Sequence, residues 1–186
     1  APASAQASVL VGVLNWIGQQ IGVSFADFSV SINGNQIIQQ GTAIAISDGF
    51  GSIAIARGEN AVATAEGWFS RAIVRGDDST ADATDGNFNT ARVYGDNNTA
   101  TASGEGFSRA IIIGENTNAS TFAGAGSRSK AVIIGSDSVA NSVALDGSTA
   151  ITRIIGAGND IFAFGQGGAN STGLIIGTDS SASASA

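Results

Sequence analysis

The stretch "SRAIIIGENTNAS", residues 108–120, decides the fold class of this chain. Three consecutive isoleucines suit a strand that is buried on both faces, yet a basic residue precedes them and a polar turn follows at once. A related stretch, "SKAVIIG", occurs at 129–135, and further versions occur upstream and downstream. The chain therefore repeats a short strand that has apolar side chains on both sides.

A glycine closes each copy of this strand, and the intervals between successive glycines lengthen from 17 to 21 residues. Each unit contains two alternating strands and two glycine-rich turns, which is the content of one rung of a β-solenoid. An antiparallel sandwich explains the alternation, but it does not explain a strand phase locked to a slowly growing period. The sequence therefore predicts an all-β protein with a single β-solenoid (β-helix or β-roll) of about seven two-strand rungs over residues 41–186. The glycines are Gly41, Gly58, Gly76, Gly95, Gly114, Gly135, Gly156 and Gly177.

The alternation in the second strand of each rung predicts which side chains point inward. The inward positions hold small and aliphatic residues such as Ala110 and Ile112, and all eight Lys and Arg residues have the opposite parity. Isoleucines share that outward parity, and rungs that stack about 4.8 Å apart would align them into an exposed aliphatic ladder. We expect this face to bind another copy of the chain; the alternative is that a loop or the N-terminal segment covers it. The predicted self-association face comprises Tyr94, Ile111, Ile113, Val132, Ile134, Ile155, Leu174, Ile176, Arg75, Arg92, Arg109, Lys130 and Arg153.

Residues 1–40 do not follow the repeat and are predicted to form an N-terminal cap or assembly segment, either a short helix or an extended strand. Within this segment a set of aliphatic residues falls at helical spacing, although nearby glycines weaken a helix. At the other end, "SASASA" (181–186) stops in mid-rung without a polar cap, so we expect head-to-tail addition of another chain. The aliphatic residues of the predicted cap are Leu10, Val13, Leu14, Ile17 and Ile21.

The composition restricts the possible functions. The chain has no His and no Cys, which removes the common catalytic triads, thiol nucleophiles and most zinc sites, and no aromatic sugar platform accompanies the carboxylates Asp82 and Asp85. We therefore expect no enzymatic activity and no cofactor. Acidic turn residues such as Asp77 and Asp96 suit turn formation, with Ca²⁺ binding as an alternative, although the glycine-rich calcium-roll motif is absent.

Charge and hydropathy bear on partners and location. The net charge of −7 disfavours nucleic acid and anionic membranes, and no apolar run reaches the roughly 18 residues that a membrane-spanning helix needs. The beginning "APASAQAS" is similar to the mature end that signal-peptide removal leaves. We therefore expect a secreted protein, extracellular or on the cell surface.

Two families share short motifs with this chain. The segments "SRAIIIG", "SKAVIIG" and "NAVATAEG" (60–67) resemble the head repeats of trimeric autotransporter adhesins, although the rungs here are longer. The segment "GDNNTATA" (95–102) resembles the core of curlin-type fibre repeats, although the regular glutamines of those repeats are missing. Both resemblances imply an extracellular, adhesive β-structure that assembles, and the adhesin heads imply lateral association through apolar faces.

The sequence predicts a structural protein whose partners are other copies of itself, as the subunit of an extracellular fibre, a pilus-like filament, or a surface or biofilm matrix. One alternative is an adhesin head, trimeric or monomeric, that binds a host or surface ligand. Another is an ice-binding protein, because outward threonines occur in "TADAT" (80–84) and "TATAS" (99–103). The later rungs do not continue that threonine pattern.

Overall fold

The computed structural model describes residues 27–186 except for residues 85, 105–106, 114–117, 124–127, 133, 136–138, 145–148, 154, 157–159, 166–169, 175, 177–180 and 186. In this part of the chain there are seventeen β-strands and no helix. The strands are β1 (Phe28–Ile32), β2 (Asn35–Gln40), β3 (Ile44–Asp48), β4 (Ile53–Arg57), β5 (Val62–Glu66), β6 (Arg71–Arg75), β7 (Thr80–Ala83), β8 (Thr90–Tyr94), β9 (Thr99–Gly104), β10 (Phe107–Ile112), β11 (Asn118–Ala123), β12 (Arg128–Val132), β13 (Val139–Ala144), β14 (Thr149–Arg153), β15 (Asp160–Gly165), β16 (Asn170–Leu174) and β17 (Ser181–Ser185).

The strands form two sheets, and the chain crosses from one sheet to the other at every turn after β3. Sheet A has the order β16-β14-β12-β10-β8-β6-β4-β1-β2, and sheet B has the order β17-β15-β13-β11-β9-β7-β5-β3. From β3 onward each strand pairs in parallel with the strand two positions along the chain. Parallel coils stacked in this way define a β-solenoid, which confirms the predicted fold class.

The interior is a narrow space filled mainly by alanine. Five alanines align in register through sheet A and are fully buried, and Val74, Val93 and Ile112 are fully buried two residues further along their strands. Side chains of these sizes permit two short sheets to approach each other closely. The predicted inward phase is therefore confirmed for these residues. The aligned alanines are Ala54, Ala72, Ala91, Ala110 and Ala131.

Residue sizes compensate one another across this interior in the later coils. Ile161 of sheet B is 2% exposed, in register with Ala140, whose side chain is much smaller. On sheet A, Gly173 follows Thr152 in the column that begins with the alanines, and a Cβ atom there would lie 2.6 Å from Cγ2 of Ile161. The glycine therefore makes room for the larger side chain, as close packing requires.

The lengthening of the repeat is confined to one of the two corners. The first residue of each sheet B strand follows its counterpart in the preceding sheet A strand by nine positions in the sequence. This distance is unchanged in the last coil, from Thr172 to Ser181. The return offset grows from nine positions, Val62 to Arg71, to twelve positions, Asp160 to Thr172. The extra residues therefore lie in the corners that lead from sheet B to sheet A, and the strands keep their register.

Polar side chains at the corners form hydrogen bonds with backbone groups. Ser79 and Asn98 are fully buried in successive coils, and the backbone N–H of Asn98 donates to Oγ of Ser79 at 3.0 Å. The Ser79 hydroxyl donates to the carbonyl of Gly95 at 2.9 Å, and Nδ2 of Asn89 donates to the carbonyl of Thr84 at 2.8 Å. These side chains supply partners for backbone groups that leave the regular sheet pairing.

A hairpin of β1 and β2 covers the N-terminal end of the solenoid. Strand β1 pairs antiparallel with β4, and its serine hydroxyls reach the free edge of β3. The N–H of Ala45 donates to Oγ of Ser29 at 3.0 Å, and the N–H of Ser47 donates to Oγ of Ser31 at 3.1 Å. Residues 28–40 are thus extended, while the predicted helical residues Leu10, Val13, Leu14, Ile17 and Ile21 lie outside the described residues.

Replacing Gly67 by Ala should destabilise the fold more than replacing Gly34 by Ala. Both glycines have positive φ, +88° and +77°, so both variants carry the same backbone penalty of about 1–2 kcal/mol. A Cβ on Gly67 would also lie 2.1 Å from the carbonyl oxygen of Gly86, whereas the nearest atom to a Cβ on Gly34 is 3.7 Å away. Urea unfolding of both variants measures the difference; equal losses would show that the coils are not in contact at this corner.

Replacing Ser29 by Ala should lower the free energy of unfolding by about 1–3 kcal/mol, because the buried N–H of Ala45 loses its acceptor. The matched control is Ser183→Ala, which removes an exposed hydroxyl from β17 and should change stability little. Thermal unfolding followed by circular dichroism gives both values. A Ser29→Ala variant as stable as the control would mean that the hairpin does not cap β3.

Candidate self-association face

The outer face of sheet A carries the predicted self-association residues that lie in its strands, and the four isoleucines Ile113, Ile134, Ile155 and Ile176 follow the ends of those strands. In its central column Ile55, Ile73, Arg92, Ile111 and Val132 align in register, each partly exposed. The same column continues through Arg153 and Leu174, which are exposed. In a neighbouring column Arg109 aligns with Lys130. The structure therefore brings these side chains together on one surface, as the parity in the sequence predicts.

An isoleucine column lies along one side of this face. The four residues stand two positions beyond the register column of Ile111, Val132, Arg153 and Leu174. They have 41–67% of their surface exposed, whereas the neighbouring Ile112, of opposite parity, has none. These side chains therefore face away from the solenoid interior. We call them the isoleucine ladder: Ile113, Ile134, Ile155 and Ile176.

The N-terminal part of the same side of the face is basic and aromatic. Arg57, Arg75 and Tyr94 align in register, and the two arginines are exposed. The guanidinium carbon of Arg75 lies 5.6 Å from the ring centroid of Tyr94, which is a cation–π distance. The ladder is thus preceded along the solenoid axis by two cations and one ring.

Arg92 occupies an apolar position in the central column. Its register neighbours are Ile73 and Ile111, and its Nε atom is buried without a hydrogen-bond partner. A buried N–H without an acceptor costs about 1–3 kcal/mol. A molecule bound to the face can supply the hydrogen-bond acceptor that the Nε–H group of Arg92 lacks.

The outer face of sheet B differs because the middle of its central column is polar, between Ile46 and Phe162. Thr64, Asp82, Thr101, Ser120 and Asn141 align in register there and are partly exposed. The threonines do not form a continuous column in these coils, and ice binding stays an alternative from the sequence. The face contrasts with sheet A, whose central column is mainly aliphatic.

Asp82 in this polar column has a perturbed acidity. Burial raises the pKa of its carboxyl group, and a hydrogen bond with the Thr64 side chain partly opposes that rise. A carboxyl whose pKa is raised by folding stabilises the fold in acid and loses that contribution as the pH rises through the folded-state pKa. Asp82 thus disfavours the folded state at neutral pH relative to acid.

Replacing Asp82 by Asn should therefore stabilise the protein at neutral pH and leave it nearly unchanged in acid. The reason is that the amide keeps an acceptor for Thr64 but has no charge to desolvate. Urea unfolding of wild type and variant across the acid-to-neutral range measures the difference. Asp160→Asn removes an equal charge from an exposed strand position and should not reproduce the pH-dependent gain; an equal gain in both variants would point to net charge instead.

At the corners that lead from sheet A to sheet B, acidic side chains accept hydrogen bonds from the backbone of the turns. The backbone N–H of Glu59 donates to Oδ1 of Asp77, and that of Asp77 donates to Oδ1 of Asp96, both at 2.8 Å. Across the described ranges, no group of three or more His, Cys, Asp or Glu side chains is placed to hold a metal ion. The expectations of no cofactor, and of calcium as the alternative, stay predictions.

An aromatic cluster at the corners from sheet B to sheet A was not predicted from the sequence. Phe50, Trp68, Phe69 and Phe88 have 45–67% of their surface exposed. The ring centroids of Phe50 and Phe69 are 5.5 Å apart, and those of Phe69 and Phe88 are 5.4 Å apart. We call these four residues the aromatic corner. The signal for it is a phenylalanine recurring every 19 residues in "GFGS" (49–52), "GWFS" (67–70) and "GNFN" (86–89).

Comparison with known proteins finds no match to this chain among protein-family models, curated proteins or solved structures. The resemblances to adhesin heads and curlin repeats thus rest on short motifs. In the part of the chain that the structure describes, no helix is long and apolar enough to cross a membrane.

Proposed function

We propose that this protein is a structural subunit that self-associates outside the cell, in a fibre or a surface matrix, through the outer face of sheet A. The isoleucine ladder carries the proposal, because its four side chains stand at equivalent positions of successive coils and are exposed by 41–67%, and large exposed apolar patches mark interaction sites. A second copy is the occupant that presents a matching apolar column. Secretion and growth into a fibre remain predictions from the sequence.

Covering the ladder contributes a free energy of the same order as the cost of association, about 4–15 kcal/mol. Full burial of an isoleucine side chain contributes about 1.5–3 kcal/mol, so burial of the exposed part of each ladder residue contributes about 1 kcal/mol. Two copies bury two ladders, which gives about 8 kcal/mol before the cost of association. Leu174, which is 54% exposed, adds to this.

Replacing Ile113 and Ile134 together by Asp should weaken self-association at least tenfold, because two carboxylates would have to be buried in an apolar contact. The matched control is Val139→Asp with Phe162→Asp, which changes two apolar residues of sheet B that are 38% and 43% exposed. Sedimentation velocity over a concentration series and electron microscopy measure assembly, and circular dichroism verifies the fold.

The control should assemble like the wild-type protein. The proposal fails if the wild-type protein stays monomeric at high concentration, or if the ladder variant and the control assemble equally well. It also fails if only the control loses assembly, since the contact would then lie on sheet B.

An adhesin head is the second candidate. The aromatic corner favours it, because exposed aromatic side chains are typical of binding surfaces. In that case the solenoid holds the corner rigidly, and its ligand is a surface molecule.

A further inference from the structure

The aromatic corner lies away from the isoleucine ladder, and the proposed self-association does not account for it. The ladder follows the sheet A strands, at the side where the chain turns into sheet B. The aromatic corner lies at the opposite turns, where the chain returns to sheet A, in the N-terminal coils. Its exposed rings therefore need a separate explanation.

Two of these rings stand on strained backbone. Phe69 and Phe88 have φ of 57° and 63°, in the left-handed region. The corners on the other side have the same conformation at Asn60, Asp78 and Asn97, with φ of 52°, 50° and 60°. Asn and Asp tolerate this region, whereas a bulky residue costs about 1–2 kcal/mol. The turn itself thus does not require phenylalanine, and strained residues of this kind mark functional sites.

The rings form an ordered ridge along the solenoid axis. Phe69 and Phe88 stack with their planes 11° apart, and Phe50 meets Phe69 edge-on. Phe69 rests on Gly51, where a Cβ atom would lie 2.5 Å from its Cδ1 atom. The N–H of Phe69 donates to the carbonyl of Phe50 at 2.9 Å, so each turn is tied to the next. The ridge is therefore preorganised, with one phenylalanine in each of three successive coils.

Trp68 adds an exposed indole to this ridge. Its surface is 61% exposed. Its backbone N–H donates to Oδ1 of Asn87 at 2.9 Å, so the two residues are held at the same corner. An exposed indole N–H can donate a hydrogen bond to a ligand.

Acidic side chains line one side of the ridge. Asp48 and Glu66 align in register, both are exposed, and each directly precedes the glycine that opens an aromatic turn. Carboxylates accept hydrogen bonds from hydroxyl groups and repel anions. Apolar rings beside carboxylates and an amide match a sugar, which has C–H faces that stack on aromatic rings and hydroxyls that donate and accept hydrogen bonds.

We infer that the aromatic corner binds a neutral polysaccharide whose chain lies along the solenoid axis. A ridge with one phenylalanine ring in each of three successive coils fits a polymer that repeats its own unit. The two carboxylates disfavour anionic polymers, nucleic acid among them. The inference does not depend on self-association, because the two surfaces share no residue.

The test compares binding of wild-type protein and of a Trp68→Ala, Phe88→Asn variant to cellulose, chitin and a soluble neutral glucan, with alginate as the anionic polymer. Phe88→Asn places at this corner the residue type that the opposite corner carries at Asn60 and Asn97. The variant should unfold at the same or a higher temperature and bind neutral polysaccharide at least tenfold more weakly. The Ile113→Asp, Ile134→Asp variant should bind neutral polysaccharide as the wild-type protein does.

Three results would overturn the inference. The first is that wild-type protein binds none of the neutral polymers, or binds alginate more tightly than these. The second is that the corner variant binds as wild type does. The third is that it loses assembly or stability while polysaccharide binding per folded molecule stays unchanged, which would make the corner a contact between copies or part of the core.

Discussion

Hydrogen bonding between successive coils in parallel register is the constraint on which the rest of the structure depends. It places each residue directly over its equivalent in the previous coil, at the spacing of paired strands. A residue type that recurs at one position of the repeat therefore forms a column along the solenoid. The alanines from Ala54 to Ala131 form one buried column in register, and the ladder from Ile113 to Ile176 stands two positions beyond a register column and is exposed. Both the core and the candidate surfaces are consequences of this register.

The parity of the solenoid strands could be predicted because period-two alternation and the glycine intervals are both visible in the sequence. The hairpin of residues 28–40 could not be predicted from the sequence. Its inward residues Ser29 and Ser31 are polar, so the segment lacks the small apolar pattern that marks the interior elsewhere. These serines are buried because they accept backbone N–H groups from β3, and such a role depends on a partner strand that the local sequence does not reveal.

The aromatic corner was missed for a related reason. In a linear sequence Phe50, Phe69 and Phe88 are isolated residues in polar, glycine-rich turns, where a single exposed phenylalanine requires no explanation. Only the stacking of coils brings them together. Their 19-residue interval contains the necessary information, but it becomes meaningful once the turns are aligned by register. Surfaces built across coils are thus harder to predict than the coils themselves.

The corner that absorbs the growth of the repeat has a consequence for protein engineering. The segment from Asp160 to Thr172 is three residues longer than the equivalent segment from Val62 to Arg71, yet the flanking strands pair in the same way. Loops that vary in length while the strands around them keep their pairing are permissive sites for foreign sequence. An epitope or tag inserted between β15 and β16 should therefore leave the pairing of the flanking strands unaltered.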